Sequence, residues 1–425
     1  MRNKGGADHL NLAAEGARRD GLGVGPSERR TEMKDKIETK ADVGLSDVSL
    51  TNAGSLYRIL KATGVVRTNR WNVQRRTTFA IAIGWVPLLL IVLLFNPGAL
   101  MSFLRDYRIH ARMLIAVPAL LLALSWMEST FRTIVEYIRN ARLLADDSLA
   151  SEDGLMVGLR RLRDSVLPEL IILLLIVAHT WLSFSILADA TPWFATATGA
   201  GLHLTAAGWY TVLISAAIFQ FLFFLSLWKW LLWSIFAFKL SRLRLKLVAT
   251  HSDQHGGLGV LGLMANCFAP ISFAITAVIG ATWRHEILNG SAHLINFKLP
   301  AIALVVILAA LAFLPLAFFV PPLAALRRKG ILEYSTLGQI QTTEFDDKWI
   351  AQRAGHESQV LTEVESGNVL NFSQLYDRIK KLVPIPVDRA TLIPLALSIV
   401  IPALPTIFAE IPVGVALQDL LKALR

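Results

Sequence analysis

Apolar residues in this chain are gathered into blocks of about twenty, and that clustering limits the fold more than any other feature. A helix of about twenty residues crosses a hydrocarbon layer near 30 Å thick. Charged residues make up 17% of the 425 residues. A soluble protein usually carries about a quarter, because charge has to cover its surface. The sequence therefore predicts an all-α membrane protein.

The same length criterion predicts a bundle of about seven transmembrane helices. Their predicted bounds are Thr78–Phe95, Met113–Met127, Val166–Leu187, Gly208–Phe238, Gly257–Trp283, Leu299–Leu323 and Thr391–Phe408. Past Glu128, Phe131 and Ile138 keep the helical spacing, so we expect the second helix to emerge from the bilayer. The fourth is too long to cross upright, so it is expected to tilt or to extend beyond the bilayer.

Five regions follow from this pattern. Residues 1–54 are polar and lack hydrophobic periodicity, which predicts a disordered tail, and residues 55–77 form a juxtamembrane amphipathic segment. Residues 78–323 form a six-span bundle with a cytoplasmic helical extension at 128–165. Residues 324–390 are predicted to be a cytoplasmic helical subdomain, and residues 391–425 hold the last span and an amphipathic C-terminus.

Lys and Arg are unevenly distributed among the loops. Ala188–Ala207 has none, whereas Lys239–Lys246 has four in eight residues. The positive-inside rule then predicts a bacterial inner-membrane protein with its N-terminus in the cytoplasm and its C-terminus in the periplasm. The same rule accounts for the net charge of +10. The lipid bilayer, and not nucleic acid, is therefore the expected partner of the chain.

The densest polar cluster is THSDQHGGLGVLG, at residues 250–262. His251, Asp253 and His255 alternate, so an extended loop would place three ligand side chains on one side. Imidazole and carboxylate suit zinc or another divalent ion. These three residues are therefore weak candidates for a metal site.

A structural interpretation of this cluster competes with the metal site and is the simpler one. Ser252 or Asp253 caps the fifth helix, and the glycines spaced by three allow close helix packing. An anion held at the helix N-terminus is a third hypothesis. The glycines that belong to these ligand or gating candidates are Gly256, Gly257 and Gly259.

The segment SRLRLKLVATHSDQHGGLGVLG resembles a motif of an uncharacterised family of bacterial multi-span inner-membrane proteins. That motif is T-H-P-D-x-x-G-G-L-G after a basic, Leu-rich segment. Ser252 stands where the family motif has proline. EYSTLGQ, EFDDKWI and LVPIPVDR are also similar, so the resemblance covers roughly the last two fifths of the chain. It implies membership of the family and no particular activity.

Ionisable residues at membrane depth are few, and His179 is the one expected at mid-depth. Such residues are functional candidates, so His179 is a candidate ligand or gating residue. The simpler interpretation is a lone histidine packed against Thr180, Ser183 or a neighbouring helix.

Prolines lie inside the predicted spans and are expected to bend them, because each removes a backbone hydrogen bond. They are Pro87, Pro118, Pro270, Pro315, Pro394, Pro402 and Pro405. Bent helices open cavities in transporters, yet membrane helices also tolerate proline without a function. For the last span, which holds three of them, we expect a deformed or partly re-entrant helix.

Two functions lead, and an enzyme whose site is built within the membrane from scattered residues is a third alternative. The first is a permease or channel-like protein for a small solute, which the bent spans and the Gly-rich start of the fifth span favour. The second is a membrane scaffold or sensor that binds a cytoplasmic protein partner through residues 128–165 and 327–389. No phosphate-binding loop, nucleophile elbow or cysteine pair is present in the sequence, so we expect no cofactor and do not expect an enzyme.

The predicted topology is testable with a reporter that is active only outside the cytoplasm. Fusions after Thr198, after Asn289 and at the C-terminus should be active, because these points follow odd-numbered spans. Fusions near Asp153, Lys246 and Gly355 should be silent. An active fusion at Gly355 would contradict the cytoplasmic placement of residues 324–390.

Overall fold

The computed structural model describes residues 73–145, 149–185, 191–198, 201–348, 363–387 and 389–410. The predicted disordered tail, most of the juxtamembrane segment and the predicted amphipathic C-terminus lie outside the described residues.

Helices dominate the described residues. The α-helices are Val73–Gly84, Val86–Phe95, Leu100–Leu104, Tyr107–His110, Val117–Asn140, Leu149–Asp164, Leu167–Ser185, Ala206–Tyr210, Ala216–Leu240, Gly262–Asn266, Ala269–Leu288, Lys298–Ala317, Val320–Asp346, Glu363–Lys380 and Arg389–Ile407. The 3₁₀ helices are Pro97–Ala99, Gly259–Leu261 and Leu294–Phe297. Two π-helical segments, Ala111–Ala116 and Thr211–Ser215, interrupt longer helices.

Within the described residues, six helices are long and apolar enough to cross a membrane. In chain order they are span 1, Val73–Phe95; span 2, Tyr107–Asn140; span 4, Ala206–Leu240; span 5, Gly259–Leu288; span 6, Leu294–Ala317; and span 7, Ala390–Ile407. The pair Gly154–Asp164 and Leu167–Leu182 also passes the test and is bent by 42°, and we call it span 3. The prediction of an all-α, multi-pass membrane bundle is confirmed.

Three details differ from the sequence prediction. Span 2 begins at Tyr107, six residues before the predicted start, and runs on to Asn140 as one long helix, as expected. Ala195–Thr198 and Gly201–Leu204 pair as an antiparallel hairpin, which was not predicted. The last span is one continuous helix, Arg389–Ile407, despite its three prolines. Proline keeps a helical φ, so it removes hydrogen bonds without having to break a membrane helix.

Span 5 is the central helix of the bundle. The apolar window of span 5 is 61% buried, against 22% for span 4 and 17% for span 1. Gly280 brings span 7 close to it: a Cβ at Gly280 would lie 3.1 Å from Thr406 Oγ1. Thr406 Oγ1 donates to the Gly280 carbonyl over 2.8 Å. A small residue therefore allows the two helices to approach, as is common in membranes.

Two prolines free backbone carbonyls that span 4 then satisfies. Proline has no N–H, so the carbonyl four residues before it lacks its helical donor. Pro87 frees the carbonyl of Ile83, and Tyr210 Oη donates to it over 2.6 Å. Pro315 lies inside its helix and frees the carbonyl of Leu311. Trp230 Nε1 donates to that carbonyl over 3.0 Å. Aromatic side chains of span 4 thus donate the hydrogen bonds that the prolines remove from spans 1 and 6.

This pairing predicts the outcome of a double-mutant cycle. Trp230→Phe keeps an aromatic ring but leaves the Leu311 carbonyl without a donor, so it should destabilise the fold by about 1–3 kcal/mol. In a Pro315→Ala background the alanine N–H bonds to Leu311, and the cost of Trp230→Phe should fall. Reversible unfolding in mixed micelles measures the four free energies. Equal costs in both backgrounds would contradict the pairing.

Candidate functional site

Asp253 organises the polar loop that precedes span 5. Its carboxylate accepts hydrogen bonds from the backbone N–H groups of His255 at 2.9 Å, Gly257 at 3.1 Å and Gly259 at 2.9 Å. Burial alone would raise the pKa of Asp253, but these backbone donors and His251 outweigh it and hold the pKa below its ordinary value. Asp253, and not Ser252, therefore caps the first turn of span 5 from six residues away.

The glycines of the motif serve this loop. Gly256 and Gly257 have φ of +65° and +95°, a backbone region in which a side chain is strained. A Cβ at Gly259 would lie 3.1 Å from the Asp253 carboxylate, whereas a Cβ at Gly262 would lie 2.8 Å from the Pro386 carbonyl. The expected close packing against a neighbouring segment is thus found at Gly262. Gly259 instead makes room for Asp253.

The two histidines of the motif have separate partners. His251 Nδ1 lies 2.8 Å from Asp253 Oδ1, while His255 is buried with Nδ1 3.2 Å from the Val383 carbonyl. Across the described ranges, no group of three His, Cys, Asp or Glu side chains is placed to hold a metal ion. The structure therefore does not assemble His251, Asp253 and His255 into a ligand set. Within the described residues, His255 alone of the three joins the loop to the segment that precedes span 7, through the Val383 carbonyl.

A cavity of about 590 Å³ lies among spans 2, 3, 4 and 5 at the opposite end of the bundle. We call this end, which carries Trp193 and Glu286, the Trp193 end, and the other the Asp253 end. Span 5 joins the two ends, because it begins beside Asp253 and its last turn brings Glu286 to the cavity. Of the sequence-predicted candidates, His179 lines this cavity, and the Asp253 motif does not.

Asp106 and Arg108 form an ion pair in one wall of the cavity. Asp106 is 3% exposed and accepts two hydrogen bonds from Arg108, each of 3.0 Å. Trp193 Nε1 donates to the same carboxylate over 3.2 Å. Burial would raise the pKa of Asp106, but the hydrogen bonds and the charge of Arg108 bring the pKa below its ordinary value. Asp106 and Arg108 therefore neutralise each other.

Arg112 lines the same cavity one turn deeper along span 2. Its Nε is buried and makes no hydrogen bond within the described part of the chain. Its carbon Cζ lies 5.7 Å from the centre of the Phe219 ring, within range of a cation–π interaction. The Asp106 carboxylate attracts Arg112 from beyond ion-pair distance, but that carboxylate is already bonded to Arg108. The cavity thus contains a cation that forms no close ion pair of its own with a described residue.

A polar pair lies deeper still, between spans 3 and 4. Gln220 Nε2 lies 2.8 Å from His179 Nδ1. Gln220 is 7% exposed, and its Oε1 has no hydrogen-bond partner within the part of the chain that the structure describes. The predicted contact of His179 with a neighbouring helix is therefore found, and its partner is a glutamine on span 4. An acceptor without a donor at membrane depth is costly unless water or a ligand reaches it.

Both π-helical segments contribute to the cavity wall. Ala111–Ala116 presents Arg112, and Thr211–Ser215 presents Thr211 and Val212. Pro118 follows the first segment and removes the donor that the Leu114 carbonyl would use, which favours a widened turn. Widened turns of this kind occur often at functional sites, because they redirect side chains.

Sequence reasoning did not single out Arg112, Gln220, Asp106 or Glu286. The hydropathy pattern places Arg112 just outside the membrane, because the second predicted span begins one residue later, at Met113. Gln220 was detectable as an amide within the long apolar block of span 4. Asp106 and Glu286 lie at span ends, where charged residues are ordinary, so the sequence carries no signal for them.

Comparisons of this chain with protein-family models, with curated proteins and with solved structures find no match. The functional assignment therefore depends on the cavity and on the side chains that line it.

The cap made by Asp253 predicts a pH-dependent loss of stability. Asp253→Asn should destabilise the fold by about 1–3 kcal/mol, because an amide cannot accept all three backbone hydrogen bonds. A lowered pKa in the folded state means that this stability is present above the ordinary pKa and is lost as pH falls through the folded pKa. The gap in melting temperature between parent and variant should therefore narrow in acid. The exposed neighbour Ser252→Ala is the control, and an equal effect there would contradict the assignment.

Proposed function

We propose that this integral membrane protein is a permease for a small solute, which enters the cavity at the Trp193 end. The cavity among spans 2 to 5 is the observation that carries the proposal. It has the size of a small-molecule site, and apolar walls with a few convergent polar groups are typical of such sites. Burying polar groups within a membrane bundle is costly, so they favour a site that water or a solute occupies.

Below the cavity, toward the Asp253 end, buried aromatic side chains pack spans 2 and 4 together. Phe131 of span 2 packs edge-to-face on Trp233 and Phe236 of span 4, with ring centres 6.3 Å and 5.1 Å apart. All three side chains are at most 3% exposed. A cavity with one packed end is the arrangement expected of a carrier that exposes its site to one side at a time. It favours a carrier over an open channel.

The positive-inside rule supplies the direction. With the N-terminus in the cytoplasm of a bacterial cell, the Trp193 end faces the periplasm and the Asp253 end faces the cytoplasm. The solute then enters the cavity from the periplasm. The resemblance of the Asp253 motif to a bacterial inner-membrane family supports this location and adds no activity.

A scaffold or sensor is the second candidate, and a different observation favours it. The helices Val320–Asp346 and Glu363–Lys380 pack side by side, with Tyr334 stacked on Phe372 at 6.2 Å between ring centres. Apolar side chains on this pair stay exposed: Leu332, Leu337, Ile340, Leu370 and Leu375. An exposed apolar surface of this kind is typical of a protein-binding region. A cytoplasmic protein partner would bind there without any use of the cavity.

Cysteine accessibility tests the permease proposal. Cys267 is buried, and its thiol donates a hydrogen bond to Thr130 Oγ1, which a serine can also do. The variant Cys267→Ser therefore gives a background without reactive thiols. Val212→Cys, on the cavity wall, should react with a membrane-impermeant maleimide added to the periplasmic side. Leu213→Cys is the matched control, since Leu213 is 65% exposed on the lipid-facing surface of the same turn. It should stay unlabelled, because the reagent needs water.

Failure of Val212→Cys to react from either side of the membrane would contradict the permease and leave the scaffold. A carrier should also admit the reagent from the cytoplasmic side in its other state. Labelling of Val212→Cys in inverted vesicles is therefore expected, at a lower rate if the periplasm-facing state predominates.

A further inference from the structure

We infer that the cavity takes a small organic anion with an apolar body, whose carboxylate or other oxyanion group binds Arg112. This inference rests on the proposed function and names the class of its solute. Two observations carry it: Arg112 forms no close ion pair with a described residue and leaves its Nε without a hydrogen bond, and apolar side chains line much of the cavity.

The charges that face the cavity leave one positive charge at depth. The charged side chains that line it are Asp106, Arg108, Arg112 and Glu286. Asp106 and Arg108 form a closed pair, with two hydrogen bonds between them. Glu286 lies in the last turn of span 5, at the Trp193 end, and is partly exposed. Arg112 lies one turn deeper along span 2 than the ion pair of Asp106 and Arg108, and is therefore the charge that a solute entering from the Trp193 end meets there.

A guanidinium suits an oxyanion better than it suits any other partner. It presents its N–H groups in a planar fork that matches a carboxylate or phosphate with two parallel hydrogen bonds. The Phe219 ring beside the guanidinium restricts its orientation. Low dielectric strengthens such a pair. Arg112 is partly exposed and only its Nε is fully buried, so an anion in the cavity can reach its other N–H groups. An anion would supply the close ion pair that the described residues do not give Arg112.

The rest of the cavity indicates the body of the solute. Aromatic and aliphatic side chains line much of the cavity, among them Phe219, Phe223, Phe224, Ile275, Val278 and Ile279. These side chains bind apolar surface and offer no hydrogen bonds. An inorganic anion would leave them in contact with water, whereas an aromatic or branched carboxylate covers them.

Three other occupants make distinct predictions. A zwitterion would use Arg112 and Glu286 together. A cation would use Glu286 and be repelled by Arg112. The headgroup phosphate of an anionic lipid would offer the same oxyanion chemistry from the bilayer. A matched series of probes separates the solute classes: benzoate, neutral benzyl alcohol, cationic benzylammonium and zwitterionic phenylalanine. Competition by phosphatidylglycerol tests the lipid headgroup.

The experiment measures equilibrium binding of these probes to the full chain, purified in detergent and freed of phospholipid. Benzoate should bind about tenfold or more tightly than benzyl alcohol, since a charge-assisted bidentate contact distinguishes them. Arg112→Gln should remove the difference in affinity between benzoate and benzyl alcohol, and continued binding of benzyl alcohol to this variant would show that the cavity is intact. Arg112→Lys should keep part of the difference in affinity between benzoate and benzyl alcohol. Arg328→Gln, an exposed cation in the helix Val320–Asp346, is the control and should change nothing.

Four results would overturn the inference. The first is that benzoate and benzyl alcohol bind equally to the parent protein, and the second is that benzylammonium binds more tightly than benzoate. The third is that phenylalanine binds most tightly and that Glu286→Gln abolishes its advantage over benzoate. The fourth is that phosphatidylglycerol displaces benzoate, which assigns the site to lipid. If Val212→Cys is labelled and benzoate binds no better than benzyl alcohol, the inferred anionic solute is wrong and the permease proposal stands. If no probe binds and Val212→Cys is not labelled, the permease proposal fails as well.

Discussion

Hydrocarbon offers no hydrogen bonds, so every backbone N–H and C=O inside the bilayer must find a partner within the protein. That constraint dictates the helices and also decides where they can be interrupted. Pro87 and Pro315 each free one carbonyl, and Tyr210 and Trp230 of span 4 supply the missing donors. Span 4 therefore does more than fill space between spans 1 and 6, because its aromatic donors make their prolines tolerable.

The same constraint explains why the irregular backbone collects around the cavity. A π-helical turn keeps its backbone groups bonded while it widens, so it disturbs a membrane helix at lower cost than an open break. Ala111–Ala116 and Thr211–Ser215 lie on neighbouring spans and both face the cavity. The Asp253 loop shows the other solution, since a carboxylate outside the spans accepts hydrogen bonds from two backbone N–H groups of the loop and from the N–H of Gly259, the first residue of span 5.

The apolar blocks predicted the fold class and most spans because their length reflects the thickness of the hydrocarbon layer. The cavity was not predictable in the same way. Its wall combines residues far apart in sequence, and hydropathy does not state which helices are neighbours. Gln220 gives no sign in the sequence that it meets His179. Arg112 fell just outside a predicted span, because hydropathy places a helix end where charge appears. Asp253 was predictable as a cap, because its side chain acts on nearby backbone.

Stability alone would not select two arginines at positions 108 and 112. They lie four residues apart on one helix, where like charges repel. Arg108 compensates through Asp106, but no described carboxylate does the same for Arg112. A neutral side chain at position 112 would cost the fold less, since a partly buried charge gives up hydration and gains no close ion pair here. The contact with the Phe219 ring offsets part of that cost. In the function proposed above, the anionic group of the solute supplies the counterion, so its binding energy offsets the remaining cost.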